Sequence, residues 1–275
     1  TVYRKQIFLS KFDVEKFKTT RGEKIGYAIA LSTEQNYAGG SFLDVEDIIF
    51  EEFMTRSRYL GESEPTKLMN LYATVDRKRG TTKLWLVGNS ISRVCPYIYE
   101  WGLLDIISKQ KQGTIETKEI DSGDDDKVLL AIEYCKSTGV SSHTIGFNKD
   151  MMNDGSWQSS PQPHLPKSKK EYDIRYRIGF MYQSFKFIAE FLQDKLTKEI
   201  CWFIYPYEGE FDKDLVIFTD VINPSIYYQR NIYDITIKNE NLQNLLNTFR
   251  EDKIFYATDL VGTDFKQVID FSIRR

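Results

Sequence analysis

The sequence predicts an α/β domain built on a parallel sheet, followed by a smaller α+β domain. Three observations carry that expectation. The first is the apolar run Ile48-Ile49-Phe50, which leads straight into Glu51-Glu52-Phe53. Such a run reads as a strand buried on both faces, as in the parallel sheet of an α/β protein. The second is Leu84-Trp85-Leu86-Val87, a similar run that ends in Gly88-Asn89-Ser90. The third is a change of period after residue 170: Ile174, Tyr176, Ile178, Phe180 and Tyr182 alternate with Arg175, Arg177, Gly179 and Met181. A period of two marks half-buried strands.

The segment between the two apolar runs supplies the helix of a strand–helix–strand unit. Leu68, Leu71, Tyr72 and Val75 fall at helical spacing within Lys67 to Val75, and the basic turn Asp76-Arg77-Lys78-Arg79-Gly80 follows. Ligands of parallel sheets collect at the carboxyl ends of the strands. Two adjacent acids there have a use in nucleotide hydrolysis: the first can hold Mg²⁺, usually through water, and the second can orient the attacking water. An acidic pair after a strand is also a common solvated junction, and Arg77, Lys78 and Arg79 read equally well as an exposed turn. The two runs together suggest an NTPase core.

Over about Gly26 to Asp105 the chain resembles the ATPase domain of phage DNA-encapsidation proteins. These are packaging motors of small podoviruses, related to the large terminase subunits. The matching residues are Gly26-Tyr27-Ala28-Ile29-Ala30-Leu31-Ser32, the run from Ile48 to Phe53, and Leu68-Met69-Asn70-Leu71. They continue through Thr74-Val75 with Arg77 and Arg79, Gly88-Asn89-Ser90, Cys95-Pro96-Tyr97 and Leu103-Leu104-Asp105. The resemblance implies ATP and Mg²⁺ as cofactors, with Glu51 on the metal and Glu52 activating water. It implies Asn89 as the residue coupling γ-phosphate loss to movement, and Arg77 as an arginine finger. That finger serves either the site of its own subunit or a neighbour's, with Arg79 a weaker candidate. The implied partners are double-stranded viral DNA, the portal of a procapsid, sister subunits in a ring (a pentamer) and, in some relatives, a structural packaging RNA.

Two departures stand out. The family's acidic pair is Asp-Glu, whereas here Glu51 precedes Glu52, so the first carboxylate reaches further by one methylene. The phosphate-cradling loop G-x-x-x-x-G-K-[ST] is absent from the 275 residues, and Gly22-Glu23-Lys24-Ile25-Gly26 does not imitate its spacing. The family carries that loop upstream of the matched part. The expectation is a P-loop-type (ASCE) ATPase core lacking its N-terminal segment, inactive by itself, over residues 1–147.

Composition bounds the alternatives. Thirty-seven basic and forty acidic residues give a net charge of −3, so contact with DNA would rest on local patches. Cys95, Cys135 and Cys201 lie far apart, and His143 and His164 are the only histidines, which argues against a disulfide framework or zinc site. Neither a long apolar span nor a signal-peptide pattern is present, which leads to the expectation of an intracellular protein with no membrane. The resemblance implies the host bacterial cytoplasm, with transient docking on the portal.

Downstream, Asp121-Ser122-Gly123-Asp124-Asp125-Asp126 reads as an acidic boundary before a helix over Lys127 to Lys136, a lid over the nucleotide or a piece of core. Residues 148–170, rich in Asn, Ser, Gln and Pro around Trp157, read as a linker. Beyond it, strands at 174–182, 185–192, 199–205 and 215–219 and helical patterns at Leu242 to Phe249 and Phe265 to Phe271 give an α+β domain over 171–275. By the resemblance this is an RNase H-like domain, a vestigial nuclease. Its candidate acids are Glu190, Asp220, Asp259 and Asp264. Lys167, Lys169, Lys170, Arg175 and Arg177, interleaved with tyrosines, form a candidate nucleic-acid footprint. The expected function is ATP-driven translocation of viral DNA into a procapsid. The alternatives are a terminase-type endonuclease and a non-catalytic scaffold that binds nucleic acid or portal.

Overall fold

The computed structural model describes residues 2–3, 5–55, 59–60, 64–121, 127–136, 161–182, 184–220, 222–229 and 240–272. Contacts divide the chain into two compact units, Thr1–Phe53 with Ser57–Gly88, and Met54–Arg56 with Asn89–Arg275. Both mix helix and strand. The division falls at Gly88, well before the linker that the sequence suggests at 148–170.

In the first unit, β1 (Val2–Tyr3), β2 (Gln6–Asp13) and β3 (Lys18–Tyr27) form an antiparallel sheet. The turn from β2 to β3 is organised by Asp13, whose Oδ1 accepts from the backbone N–H groups of Glu15 and Lys16. A short 3₁₀ turn, Leu31–Tyr37, leads to β4 (Asp47–Glu51), helix α1 (Glu64–Asp76) and β5 (Lys83–Val87). Strands β4 and β5 pair in parallel, with Ile49 opposite Trp85 and Glu51 opposite Val87. A helix between two parallel strands is the crossover such pairing requires. The predicted helix is present, with Leu68, Leu71 and Val75 buried on one side.

The expectation of strands buried on both faces is corrected. Ile49, Trp85 and Val87 are 66%, 52% and 55% exposed, while Ile48, Phe50, Leu84 and Leu86 are half-buried. Among the described residues this sheet has two strands and one sheltered face. The apolar runs supply side chains for two.

The second unit begins with α2 (Pro96–Glu100), α3 (Leu104–Lys109) and the antiparallel hairpin β6 (Thr114–Asp121) with β7 (Lys127–Tyr134). The helix expected over Lys127 to Lys136 is therefore a strand. Val128 and Ile132 are β-branched, and Ser122-Gly123-Asp124-Asp125-Asp126 is chemically a hairpin connection as much as a helix start. Those five connecting residues lie outside the described ones.

The C-terminal sheet bears out the period-two reading. It comprises β8 (Tyr172–Tyr182), β9 (Phe185–Asp194), β10 (Ile200–Pro206), β11 (Ile217–Thr219), β12 (Tyr228–Gln229) and β13 (Ile254–Tyr256). The order is β12-β11-β8-β9-β10-β13, with β8, β9 and β10 an antiparallel meander and β11, β12 and β13 pairing in parallel. Helices α4 (Glu240–Arg250) and α5 (Asp259–Ser272) fall where the helical patterns predict. They pack on one face, where Leu245, Phe265, Val268 and Ile269 join Ile178, Phe180, Ala189, Trp202, Ile204 and Phe218 in one core. Gly179 lets β11 approach, since a Cβ there would come within 3.2 Å of Ile217 and 3.0 Å of Phe211.

Of the linker candidate, residues 148–160 with Trp157, like His143, lie outside the described residues. Its last ten do not link freely. The Pro163 carbonyl accepts from the Tyr256 N–H at 2.8 Å, and the Gln162 N–H donates to Asp259 Oδ1 at 2.9 Å. His164 Nδ1 lies 2.9 Å from the Tyr256 carbonyl, and Nε2 lies 3.0 Å from Asp259 Oδ1. The carbonyl first, and then the Asp259 carboxylate, raises the imidazole above its ordinary pKa of 6.5, because both nitrogens can donate only in the charged form. A raised folded-state pKa stabilises the fold fully below the unfolded value and loses that contribution as pH rises through the folded value. Wild-type thermal stability should thus fall more than that of His164→Ala between about pH 5.5 and about pH 8.5. Parallel melting curves would show no role for the imidazolium.

Candidate active site

Glu51 closes β4, and Glu52 follows with φ +57°, in the left-handed region. A non-glycine residue there is sparsely populated and marks a sharp departure of the chain from the strand. Both carboxylates are exposed, and neither forms an ion pair or hydrogen bond with a described residue. In register beside them, β5 ends at Val87, and Gly88 and Asn89 follow. Asn89 is exposed and opens the second unit. The acid pair thus stands at the carboxyl end of a parallel strand pair, free to meet a cation.

The arginines stand at the opposite end. Helix α1 stops at Asp76, and Arg77 and Lys78 take φ +48° and +61° before Gly80 at +67°. The buried Asp76 carboxylate accepts from Gly80 N–H at 2.9 Å and Thr82 N–H at 3.0 Å. Burial alone would raise its pKa, but these backbone donors prevail and hold it below the ordinary carboxylate value. Arg79 threads through this turn. Its Nε donates to the Asp76 carbonyl, Nη1 to the Leu43 carbonyl, and Nη2 to the Val45 and Val75 carbonyls and Thr82 Oγ1, all within 3.1 Å. Arg79 therefore locks the helix end to the amino ends of β4 and β5. Losing it would strand several acceptors, and Arg79→Ala should destabilise the first unit by about 3 kcal/mol in denaturant titration. A change below about 0.5 kcal/mol, as for an ordinary surface site, would contradict this role.

Arg77 is different. It is exposed, and its guanidinium makes one hydrogen bond, from Nη2 to the Gly40 carbonyl at 2.6 Å. Four steps along β5 separate the Lys83 end from the Val87 end, about 13 Å at the usual rise per residue. That is further than an arginine side chain extends, so Arg77 does not reach Glu51 and Glu52 of its own chain.

The remaining candidates are not gathered with these. Glu190 on β9 is fully buried, with Arg177 Nε and Tyr205 OH donating to Oε1, each at 3.0 Å, and Lys169 Nζ 2.6 Å from Oε2. Burial first, and then Glu190, pushes the Tyr205 phenol up to about 12. Lys169 also lies over the Tyr205 ring, 4.7 Å from its centroid. Lys167 pairs with Asp194 at 2.7 Å, and Arg175 donates to Gln193 Oε1 at 2.7 Å. Lys170 is exposed. The basic footprint is thus largely engaged by acids and amides of its own sheet. Asp264 on α5 is held by Ser92 and Arg93, and Asp259 by His164 and Gln162. Among the described residues no three of His, Cys, Asp and Glu come together as a metal centre. Sequence reading missed the Arg79 lock, the Glu190 cluster and the Asp264 contacts, since each depends on pairings across 13 to 172 positions. No local pattern announces those.

A strand–helix–strand unit with free acids at the carboxyl end of its parallel strands defines an α/β protein whose strand ends are the usual place for a ligand. Comparison with known proteins gives that class a more particular relative. Residues 11–125 match the family model described as podovirus DNA encapsidation protein (Gp16). The DNA packaging proteins of Bacillus phages PZA and phi29 are each 32% identical to this chain over 92 residues, and that of Bacillus phage B103 is 33% identical over 91. These matches cover 32% of this chain and 27–28% of the relatives, so the chain is matched over less than a third of their length. Two solved structures, the Phi-28 gp11 DNA packaging motor and the bacteriophage Phi-29 viral genome packaging motor assembly, align with 94% and 96% of this chain and 70% and 78% of theirs. Both have a TM-score of 0.43, at 14% and 18% identity. The resemblance carried by Gly26 to Asp105 is borne out, since the family match encloses every one of its motifs.

Proposed function

We propose that this chain is part of a viral DNA packaging motor subunit, an ATPase that drives double-stranded DNA into a procapsid. The observation that carries the reading is the unpaired Glu51–Glu52 at the carboxyl end of β4, inside the segment that matches the encapsidation family. Glu52 takes the proton of the attacking water. Exposed carboxylates without protein partners fit a hydrated Mg²⁺, which one or two carboxylates and the substrate phosphates commonly hold. Glu51 would be that ligand, and the ion would neutralise charge on the phosphates. No G-x-x-x-x-G-K-[ST] loop occurs within these 275 residues. Asn89, at the end of the adjacent strand, relays the change on γ-phosphate loss. Arg77, which cannot reach its own acids, serves a neighbouring subunit in a ring. The motor works in the host cytoplasm, docked on the portal, with a structural RNA as a further partner in the manner of some relatives. Among the described residues no helix is long and apolar enough to cross a membrane.

The C-terminal sheet with its helices on one face supports a vestigial RNase H-like domain. Two-metal cleavage needs acids converging on ions about 3.5–4 Å apart. Here Glu190, Asp259 and Asp264 are each engaged by a different set of side chains. The protein should leave plasmid DNA intact in Mg²⁺ or Mn²⁺. Cleavage that disappears in Asp220→Ala would establish the endonuclease alternative instead. The reading itself is tested by ATP turnover of the full-length protein. Absence of turnover with DNA and portal present would favour the scaffold.

A further inference from the structure

Four residues separate the end of β5 at Val87 from a buried clamp that begins at Ser92. Asp264, on α5, has a side chain with no exposed surface. Its Oδ1 accepts from Ser92 Oγ at 2.9 Å and from the Arg93 N–H at 3.2 Å. Its Oδ2 accepts from Arg93 Nε at 3.2 Å and Nη2 at 2.8 Å. Ser92 Oγ also accepts from the Val94 N–H at 3.1 Å, and Val94 is fully buried in the same core as Phe265 and Val268. The Arg93 guanidinium lies over Phe185 at the start of β9, 5.5 Å from the ring centroid. One carboxylate thus fixes Ser92 and Arg93 onto the helix, and Ser92 Oγ in turn holds the Val94 N–H.

A buried ion pair is a poor choice for stability alone, because apolar residues of similar volume often do as well or better. Its advantage is geometric. Four directed donors hold the segment in one place and transmit displacement along it. That segment follows Asn89 by three residues, and Asn89 follows the strand paired with Glu51. We propose that Asp264 is a positioning residue, the point at which movement of the β5 end is delivered through Ser92 and Arg93 to α5 and the C-terminal sheet. It touches neither nucleotide nor DNA. The inference rests on the ATPase reading of β4 and β5 and adds the route by which hydrolysis reaches the second unit. It also assigns Asp264 a task other than metal binding, since both its oxygens are taken.

The test is hydrogen exchange of the full-length protein with and without a non-hydrolysable ATP analogue, alongside ATP turnover. In wild type, binding should change protection of α5 around Asp264 by about 2- to 30-fold, the range for coupling carried through packed networks. Asp264→Asn keeps the shape and loses the charge. It should abolish that difference while basal turnover stays near wild type. Arg93→Lys, which keeps the charge and loses the paired guanidinium contacts, should retain only part of the response and serves if Asp264→Asn does not fold. A nucleotide response of α5 that persists undiminished in both variants would overturn the clamp as a coupling element. So would wild-type protein that hydrolyses ATP with no response in α5. Wild-type protein that neither binds nor hydrolyses ATP would overturn the ATPase reading itself, a result told apart from the others by the turnover measurement.

Discussion

Arg77→Ala in the full-length protein should lower ATP turnover by about 10³–10⁵-fold, the worth of an arginine finger in phosphoryl transfer. The magnitude follows from the absence of any covalent work in this chemistry: most of the barrier is removed by placing charge where the transferring phosphoryl group develops it. Arg77 is suited to arrive from outside. It is exposed, stands on a left-handed turn that projects it past the end of α1, and gives up a single carbonyl contact when it moves. Arg79, two residues on, would have to abandon six hydrogen bonds. Since Arg77 stands at the amino end of β4 and β5 and the acids at the carboxyl end, an arginine finger at this position would act on another subunit. Mixing Arg77→Ala subunits with Glu52→Gln subunits should therefore restore part of the activity that each lacks alone. Some interfaces in the mixture pair an intact Arg77 with an intact Glu52. Assembled mixtures that stay inactive at every ratio would place Arg77 outside chemistry in trans. Full activity of Arg77→Ala alone would make it a surface turn. Its folding stability should stay within about 0.5 kcal/mol of wild type, unlike that of Arg79→Ala.

Glu52→Gln should cost about 10²–10⁴-fold in turnover while ATP still binds, because glutamine keeps the size and hydrogen bonding of glutamate and loses its basicity. The substitution is informative because Glu52 supports nothing else. It is exposed and forms no ion pair or hydrogen bond with a described residue. A loss of activity cannot then be traced to a loss of fold, and unchanged melting should accompany it. Wild-type turnover in Glu52→Gln would end its assignment as the base. Glu51 is separable by metal dependence: if it holds Mg²⁺, Glu51→Gln should raise the Mg²⁺ concentration needed for turnover.

The elements were legible where a local period decides them. Leu68, Leu71 and Val75 announce α1, and the alternation from Ile174 to Tyr182 announces β8, because burial on one face repeats along the chain itself. The segment from Lys127 to Lys136 was not legible. Val128, Leu129, Ile132 and Cys135 satisfy a helical spacing, and only pairing with Thr114–Asp121 reveals the strand. Exposure of Ile49, Trp85 and Val87 was equally hidden, since an apolar run states what can be buried and not what covers it. At the site, the sequence placed Glu51, Glu52 and Asn89 at strand ends, because strand ends follow from the runs that precede them. It left open whether Arg77 serves its own subunit. The parallel pairing of β4 with β5 sets the direction of α1 and leaves Arg77 at the amino end of the strands, away from Glu51 and Glu52. The engagement of Arg177 and Lys169 by Glu190 was beyond reach for the same reason as the Asp264 clamp: partners met across the sheet or from a distant helix leave no mark on neighbouring residues.

The central claim is that hydrolysis at Glu51 and Glu52 moves DNA. Its most direct test is uptake of double-stranded DNA into procapsids by the full-length protein, scored as DNA that resists added nuclease. Wild type should protect DNA only when ATP is present, and Glu52→Gln should protect none although it binds ATP and docks normally. DNA protected equally by Glu52→Gln, or by wild type without ATP, would contradict the account.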